Sequence, residues 1–311
     1  MKYSQHQQDN IWQLHCRGHS SRQIAKISGH SKSGINNFLI KRLRKTTSKQ
    51  GARVLFIDLE TSAALVYCFG RHKQYINQDA IHTEGGKILV AGYRWLGEPK
   101  TDVLYDKSEI RAGEDYLLCV KLWDLFSQAD VVVAHNAKNF DVKMLEARCL
   151  VNGLPPLPTV QVIDTLEIAK RKFRFPSNKL DSLAAFLSIG RKVETGGIDL
   201  WVKVQQGNEE AINNMVTYCE GDVDLLHDVF LALRSRGLVS AFNAALYYDD
   251  EVIRCRACGH TEFEATGRKI RTATGIYNEL RCTECETVQR DKQNQTTKTK
   301  RTNLLSTPKA S

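Results

Sequence analysis

The sequence predicts an α/β protein: a mixed sheet flanked by helices on both faces, preceded by a small all-α module and followed by a small cysteine-bearing module. Three observations carry this reading. Short apolar runs rich in β-branched residues recur at Val54–Ile57, Ile88–Ala91, Val131–Ala134 and Val160–Ile163, as buried strands require. The first of them follow one another as a meander and the later ones alternate with helical stretches, which is the order of a sheet covered on both sides. Two Cys-x-x-Cys pairs, Cys255/Cys258 and Cys282/Cys285, stand beyond the last long helix.

At 311 residues the length prior is about two domains. Lys and Arg outnumber Asp and Glu by 44 to 35, a net charge of +9 that favours polyanions, nucleic acid first among them, as partners. No apolar run reaches the roughly 20 residues needed to span a bilayer, and the polar opening Met1–His6 lacks the apolar core of a signal peptide. Cys16, Cys68, Cys119, Cys149 and Cys219 are scattered through globular segments. That distribution suits a reducing cytoplasm better than a disulfide framework, so a cytoplasmic protein without a membrane partner is expected.

Residues 1–45 read as a small helical unit. Ile11, Trp12 and Leu14 mark a first helix that Gly18 ends. Ser20-Ser21-Arg22-Gln23 starts a second, with Ile24, Ala25 and Ile27 at helical spacing, and Gly29 makes a turn. A third helix begins near Ser31 or Ser33, with Ile35, Phe38, Leu39 and Leu43 on its apolar side. The unit resembles a helix-turn-helix, so Lys32, Asn36, Lys41 and Arg42 on the polar side are the expected nucleic-acid contacts; a protein-interaction module would have the same pattern. Residues 46–52 read as a basic linker.

The central domain is expected over 53–240. Val54–Thr61 opens it as a buried strand, Ala64–Gly70 and Lys87–Leu96 read as two more, and Asp102–Tyr105 adds a short piece. Glu109–Gln128 reads as one helix with a broad apolar face. Val131–Ala134 leads through His135 and Asn136 into a helix over Met144, Leu145 and Leu150. Val160–Ile163 is a strand, with Asp164-Thr165 capping the next helix. Asn178–Leu187 and Asn208–Arg236 complete the helices.

Chemistry enters at the end of the first strand. Asp58 and Glu60 stand at i and i+2, on one face of a strand, where paired carboxylates repel unless a cation lies between them. A hard divalent ion such as Mg²⁺ or Mn²⁺ prefers such oxygen ligands; a strand ending in a polar turn fits the same residues. Asp141 can reach the carboxyl edge of the sheet, where ligands of open α/β sheets bind, yet taken alone it is an ordinary first-turn helix carboxylate. Tyr218 and Asp222, at i and i+4, share one helix face. Glu220 and Asp224 lie off that face and are expected to meet solvent, and His227 is expected to be structural.

Taken in order, Phe56-Ile57-Asp58-Leu59-Glu60-Thr61, His135-Asn136-x3-Phe140-Asp141-x3-Leu145 and Tyr218-x3-Asp222 resemble the motifs of the DEDD exonuclease superfamily, in the tyrosine-bearing branch that includes ribonuclease D and the proofreading domains of family B DNA polymerases. The similarity covers roughly residues 53 to 236. It implies a ribonuclease H-like fold and a 3′–5′ exonuclease that releases 5′-mononucleotides, from DNA ahead of RNA, with replication or repair proteins as partners. It further implies that Asp58, Glu60 and Asp222 hold one Mg²⁺ or Mn²⁺, that Asp58 holds a second supported by Asp141 through water, and that His135 and Asn136 lie against nucleic acid. Two such ions about 4 Å apart activate water and stabilise the departing 3′ oxygen. Tyr218, with a reference pKa of about 10, is assigned to orienting that water rather than to accepting its proton. The chain has no room for a polymerase domain, so a free-standing nuclease is expected. A non-catalytic DNA-binding protein on a nuclease fold and a structure-specific endonuclease are the alternatives.

Residues 250–290 read as a zinc ribbon. Four thiolates from two knuckles, Cys255, Cys258, Cys282 and Cys285, suit one structural Zn²⁺ that folds a segment too small for its own core. Gly259 follows the first knuckle, whereas Glu286 stands in the equivalent place of the second. Phe263, Ile270, Ile276 and Tyr277 allow two short strands between the knuckles, under a basic coat that suits nucleic acid. Residues 291–311 read as a disordered basic tail.

Overall fold

Strand β1 (Val54–Thr61) is the centre of a five-stranded sheet in the computed structural model, which describes residues 3–16, 19–35, 38–39, 51–70, 75–236 and 242–305. The chain divides into two compact units, Met1–Ser48 with Arg53–Val229, and Lys49–Ala52 with Phe230–Ser311.

The first unit begins with α1 (Gln5–Cys16) and α2 (Ser21–Ser28). Ser20 caps α2 in a reciprocal box with Gln23, and Gly29 closes it in the left-handed conformation, as the sequence predicts. Helical backbone resumes at 32–35 and 38–39. Ile11, Leu14, Ile24, Ile35 and Leu39 form the core of these helices, while Ile27 is 56% exposed and lies outside it. The Trp12 ring lies 6.0 Å from that of Trp123, so α1 packs on the central fold. Of the expected nucleic-acid contacts here, Lys32 is exposed; Asn36, Lys41, Arg42 and residues 46–50 of the linker lie outside the described residues.

The remaining sheet strands are β4 (Ile88–Trp95), β5 (Asp102–Tyr105), β6 (Val131–Ala134) and β7 (Gln161–Asp164), in the order β5-β4-β1-β6-β7. β4 runs antiparallel to β1 with Asp58 opposite Gly92, and β6 runs parallel to β1 with Leu55 opposite Val132. The expected mixed sheet is therefore present. Ala64–Gly70 contributes only β2 (Leu65–Val66), paired with β3 (Ile81–Thr83) in a separate two-stranded sheet.

The helix expected over Glu109–Gln128 is two: α3 (Lys107–Ala112) and α4 (Tyr116–Gln128). Gly113 ends α3 in the left-handed conformation, and the buried Glu109 side chain turns back to accept from the Leu117 and Leu118 backbone N–H groups at 2.6 and 3.1 Å. Broad apolar patterning hides such a break, because both pieces bury the same face. The later helices are α5 (Asp141–Val151), α6 (Thr165–Lys172), α7 (Leu180–Phe186), α8 (Ile198–Gln205) and α9 (Glu209–Arg234). Asp164 caps α6 by accepting from Leu166 and Glu167. Sequence periodicity misses α8, whose inner face is only Leu200 and Val204.

The period of two along β1 sorts its residues. Leu55, Ile57 and Leu59 pack with Leu118, Leu122 and Phe126 of α4 and Leu145 of α5. Phe56 faces the other way, where its ring meets His227 of α9 edge-on at 5.1 Å. Asp58 and Glu60 follow Phe56 by parity and so point to the α9 side.

The second unit holds β8 (Phe263–Thr272), β9 (Gly275–Cys282) and β10 (Val288–Asn294) as one antiparallel sheet. The expectation of a disordered tail from Asp291 is corrected: β10 extends to Asn294, held by Asn294 opposite Tyr277, and α10 covers Lys298–Thr302. Polar edge strands carry little apolar signal, so composition alone reads them as tail. Residues 306–311 lie outside the described residues. Among the described residues no helix is long and apolar enough to cross a membrane.

Candidate active site

The carboxyl end of β1 and the middle of α9 meet because the sheet has no side chain between them. A Cβ at Gly92, opposite Asp58, would lie 2.8 Å from Val223 Cγ2 and 2.9 Å from the Cys219 carbonyl oxygen. With that space open, Tyr218 and Asp222 reach the two carboxylates of β1. Carboxylate oxygens of Asp58, Glu60 and Asp222 lie within 4.8 Å of one another. Asp141, 2% exposed, stands beside this trio and not in it: its Oδ1 accepts from the Leu59 N–H at 3.2 Å, and its charge is felt through Asp58.

Two residues outside the sequence motifs complete the cluster. Lys192, in the segment between α7 and α8, donates from Nζ to Asp222 Oδ2 at 2.5 Å and to the Tyr218 hydroxyl at 3.2 Å. Trp201 of α8 hydrogen-bonds Glu60 and meets the Tyr218 ring edge-on at 5.9 Å. Neither carries a local signal, since one sits in a patternless loop and the other in a short helix. A need for compensating cations around buried acids was the only available pointer to Lys192.

Burial pushes Asp58 up to about 7, with Asp222 adding to the rise and Lys192 opposing it. Burial likewise takes Glu60 to about 8, reinforced by Asp58 and Asp222 and opposed by Lys192 and the Trp201 hydrogen bond. Asp141 is raised well above the ordinary carboxylate range by burial and then by Asp58. Asp222 rises through burial although Lys192 and Tyr218 pull it down. Burial also raises Tyr218, with Asp222 next, so the phenol keeps its proton at neutral pH. One ammonium among three buried carboxyls and the half-buried Asp58 leaves a site that attracts further positive charge. Asp222 Oδ1 is buried without a hydrogen-bond partner among the described residues. An all-oxygen donor set with an orphaned acceptor fits a divalent cation of the Mg²⁺ or Mn²⁺ type.

Other predicted positions serve the scaffold. Both His135 nitrogens are engaged, Nδ1 with Thr165 Oγ1 and Nε2 with the Asn178 carbonyl, each at 2.9 Å, so this ring ties the start of α6 to the segment before α7. Asn136 adopts φ 77°; its N–H donates to Asp164 Oδ1 at 2.9 Å and its side-chain oxygen accepts from Asn139 at 3.2 Å. Asp224 is not simply solvated, since it accepts from Arg94 at 2.9 Å and Thr101 at 2.7 Å. His227 is buried, as a structural histidine should be.

In the second unit the sulfurs of Cys255, Cys258, Cys282 and Cys285 also lie within 4.8 Å of one another, with Cys255–Cys285 at 3.6 Å and Cys258–Cys282 at 3.7 Å. A tetrahedron with Zn–S bonds of about 2.3 Å has edges of about 3.8 Å, so the four sulfurs fit that ion. Each knuckle closes on a left-handed residue, Gly259 at φ 81° and Glu286 at φ 57°. Their N–H groups donate to the carbonyls of Cys255 and Cys282 at 2.8 and 3.0 Å. A side chain in that conformation costs roughly 1–2 kcal/mol, only part of it offset by glycine's greater freedom when unfolded. Glu286→Gly is therefore expected to stabilise the knuckle by about 0.5–1 kcal/mol and to slow zinc loss to a chromogenic chelator. Faster loss would contradict the strain assigned to Glu286.

A family model for the RNase_H superfamily matches residues 55–233. Among solved structures the chain is similar to the family B DNA polymerase from the hyperthermophilic archaeon Pyrobaculum calidifontis, with 13% identity and a TM-score of 0.42, over 59% of this chain and 25% of that one. The chain thus spans about a quarter of that polymerase's length. No curated protein matches it.

Proposed function

The chain belongs to the RNase_H superfamily, and we propose that within it this protein is a metal-dependent 3′–5′ exonuclease of the tyrosine-type DEDD kind. The observation that carries the reading is the convergence of Asp58, Glu60 and Asp222 beside an unpartnered buried carboxylate oxygen of Asp222, with Asp141 next to the trio and Tyr218 on the same helix face as Asp222. Asp58, Glu60 and Asp222 would hold one Mg²⁺ or Mn²⁺ and Asp58 with Asp141 a second, supplying Lewis acidity for water and for the leaving 3′ oxygen. Tyr218 stays protonated, donates to Asp222 and accepts from Lys192; its remaining lone pair can hold a water in line with the phosphorus. Lys192 offsets negative charge beside the scissile phosphate, and Trp201 holds the Glu60 carboxylate in place. The N-terminal helices and the zinc ribbon are read as separate modules, 1–45 and 250–290, that grip nucleic acid while the central domain, 53–240, trims it.

The test uses 5′-labelled single-stranded DNA and RNA with Mg²⁺ or Mn²⁺, beside Asp58→Asn. A ladder shortening from the 3′ end is expected, absent with EDTA. Losing a direct ligand should cost more than the 10–100-fold typical of a metal's outer partners. Internal cuts on a 3′-blocked strand would turn the reading to an endonuclease. Intact substrate with a clear gel shift would leave a binding protein.

A further inference from the structure

After α6 the chain alternates cations with aromatic rings, Lys170-Arg171-Lys172-Phe173-Arg174-Phe175. Arg171 pairs with Glu167 at 3.2 Å, whereas Lys170, Lys172 and Arg174 are exposed and make no ion pair among the described residues. The rings lie together: Phe173 stacks on Phe175 at 5.0 Å, and Phe175 meets Phe186 edge-on at 5.5 Å. Phe186 ends α7 and is 61% exposed. Three rings gathered at the surface, rather than in the core, mark a contact site.

This surface is wired to the carboxylates through α7. Asp181, in the first turn of that helix, accepts from the Lys192 backbone N–H at 2.9 Å, and Lys192 in turn holds Asp222. Phe186 stands in the last turn of the same helix. The segment's return is fixed by His135 donating to the Asn178 carbonyl.

We propose that this surface holds single-stranded nucleic acid, with Lys170, Lys172 and Arg174 on phosphates and Phe186 under a base. The inference rests on the reading of the protein as a nuclease and names the form of substrate. Cations interleaved with aromatic faces match a backbone of regular negative charge whose bases expose their π-faces. A duplex hides those faces, and an acidic protein would use the cations and leave the rings idle.

The test measures affinity of the full chain for fluorescent oligo(dT) in Ca²⁺ across a salt series. Three lost phosphate contacts should flatten the slope of log K on log salt by about 2 in the Lys170→Gln/Lys172→Gln/Arg174→Gln variant, and weaken binding at low salt. Phe186→Ala should weaken binding about fivefold or more through lost stacking, with the slope unchanged. A control that removes three exposed cations elsewhere, Lys100→Gln/Lys121→Gln/Lys203→Gln, should keep most of the wild-type affinity. Wild-type affinity and slope in the patch variant, or an equal loss in the control, would overturn the proposal. So would preference for a duplex, or a wild type that binds no single strand. None of these outcomes touches the ladder assay, on which the nuclease reading is judged separately.

Discussion

Gly92→Val is expected to abolish metal-dependent hydrolysis while leaving a folded protein. The position has no room for a side chain: even a first carbon would meet Val223 Cγ2 at 2.8 Å, the Cys219 carbonyl oxygen at 2.9 Å and Cys219 Sγ at 3.0 Å. Two of these atoms are side-chain ends, but the carbonyl belongs to the helix backbone and yields only if α9 lifts. Overpacking of this kind costs roughly 1–3 kcal/mol, or about 2–4 °C in melting temperature per kcal/mol for a domain of this size. Activity should fall much further. Tyr218 and Asp222 ride on the helix that moves, and a displacement near 1 Å at a reacting centre can cost about 100-fold. Circular dichroism, melting and the ladder assay together read the result. Wild-type turnover in Gly92→Val would refute the idea that this glycine sets the distance between α9 and β1.

A second substitution sharpens the point. Gly92→Ala adds only the first carbon, and Val223→Ala removes its nearest neighbour. The double variant should regain part of the activity lost in Gly92→Ala, and not all of it, because the Cys219 carbonyl contact remains. Strict additivity of the two single effects would mean that the residues do not share this space.

How much of this was legible in the sequence follows from how local each signal is. Asp58 and Glu60 share a face because a strand repeats every two residues, and Tyr218 and Asp222 share one because a helix turns every 3.6. Those relations are fixed along the chain, and the structure has both. The four cysteines of the knuckles are legible for the same reason. Gly92, Lys192 and Trp201 act across the fold, each opposite a residue far away in sequence, so no window around them reveals the role. The split between α3 and α4 escaped because Glu109 caps the second helix from within the first, a satisfaction of backbone donors that apolar patterning does not record. His135 marks the opposite limit: its motif points to nucleic acid, while both its nitrogens are spent on Thr165 and Asn178.

Without divalent metal, the protein is expected to lose stability as pH rises from about 5 to 8, and added Mn²⁺ should reverse that trend. Asp58 and Glu60 titrate near 7 and 8 in the folded chain, against about 4 when unfolded. Between those limits the folded state holds more protons than the unfolded one, so stability is present at the acid end and is lost as pH climbs toward the folded values. At about 1.4 kcal/mol per pH unit for each proton, the two carboxyls set an upper bound of about 7 kcal/mol between pH 5 and 8, which solvent screening at the part-exposed Asp58 lowers to a few kcal/mol. Asp115, held below the ordinary range against its burial by Arg148 and Asn152, titrates at lower pH and leaves this window alone. His15 and His135, lowered by burial, oppose the trend below about pH 6.5, so the carboxyl contribution is read as the difference between wild type and Asp58→Asn. A cation bound to the ionised cluster adds stability that grows with its occupancy, and occupancy grows as the carboxyls give up their protons. The gain in melting temperature on adding Mn²⁺ should therefore be small at pH 5 and largest above pH 8, and Asp58→Asn should flatten both curves. A Mn²⁺ effect equal at both ends of the range, or metal-free stability that rises between pH 5 and 8, would show that these carboxyls neither crowd one another as their geometry requires nor hold the ion.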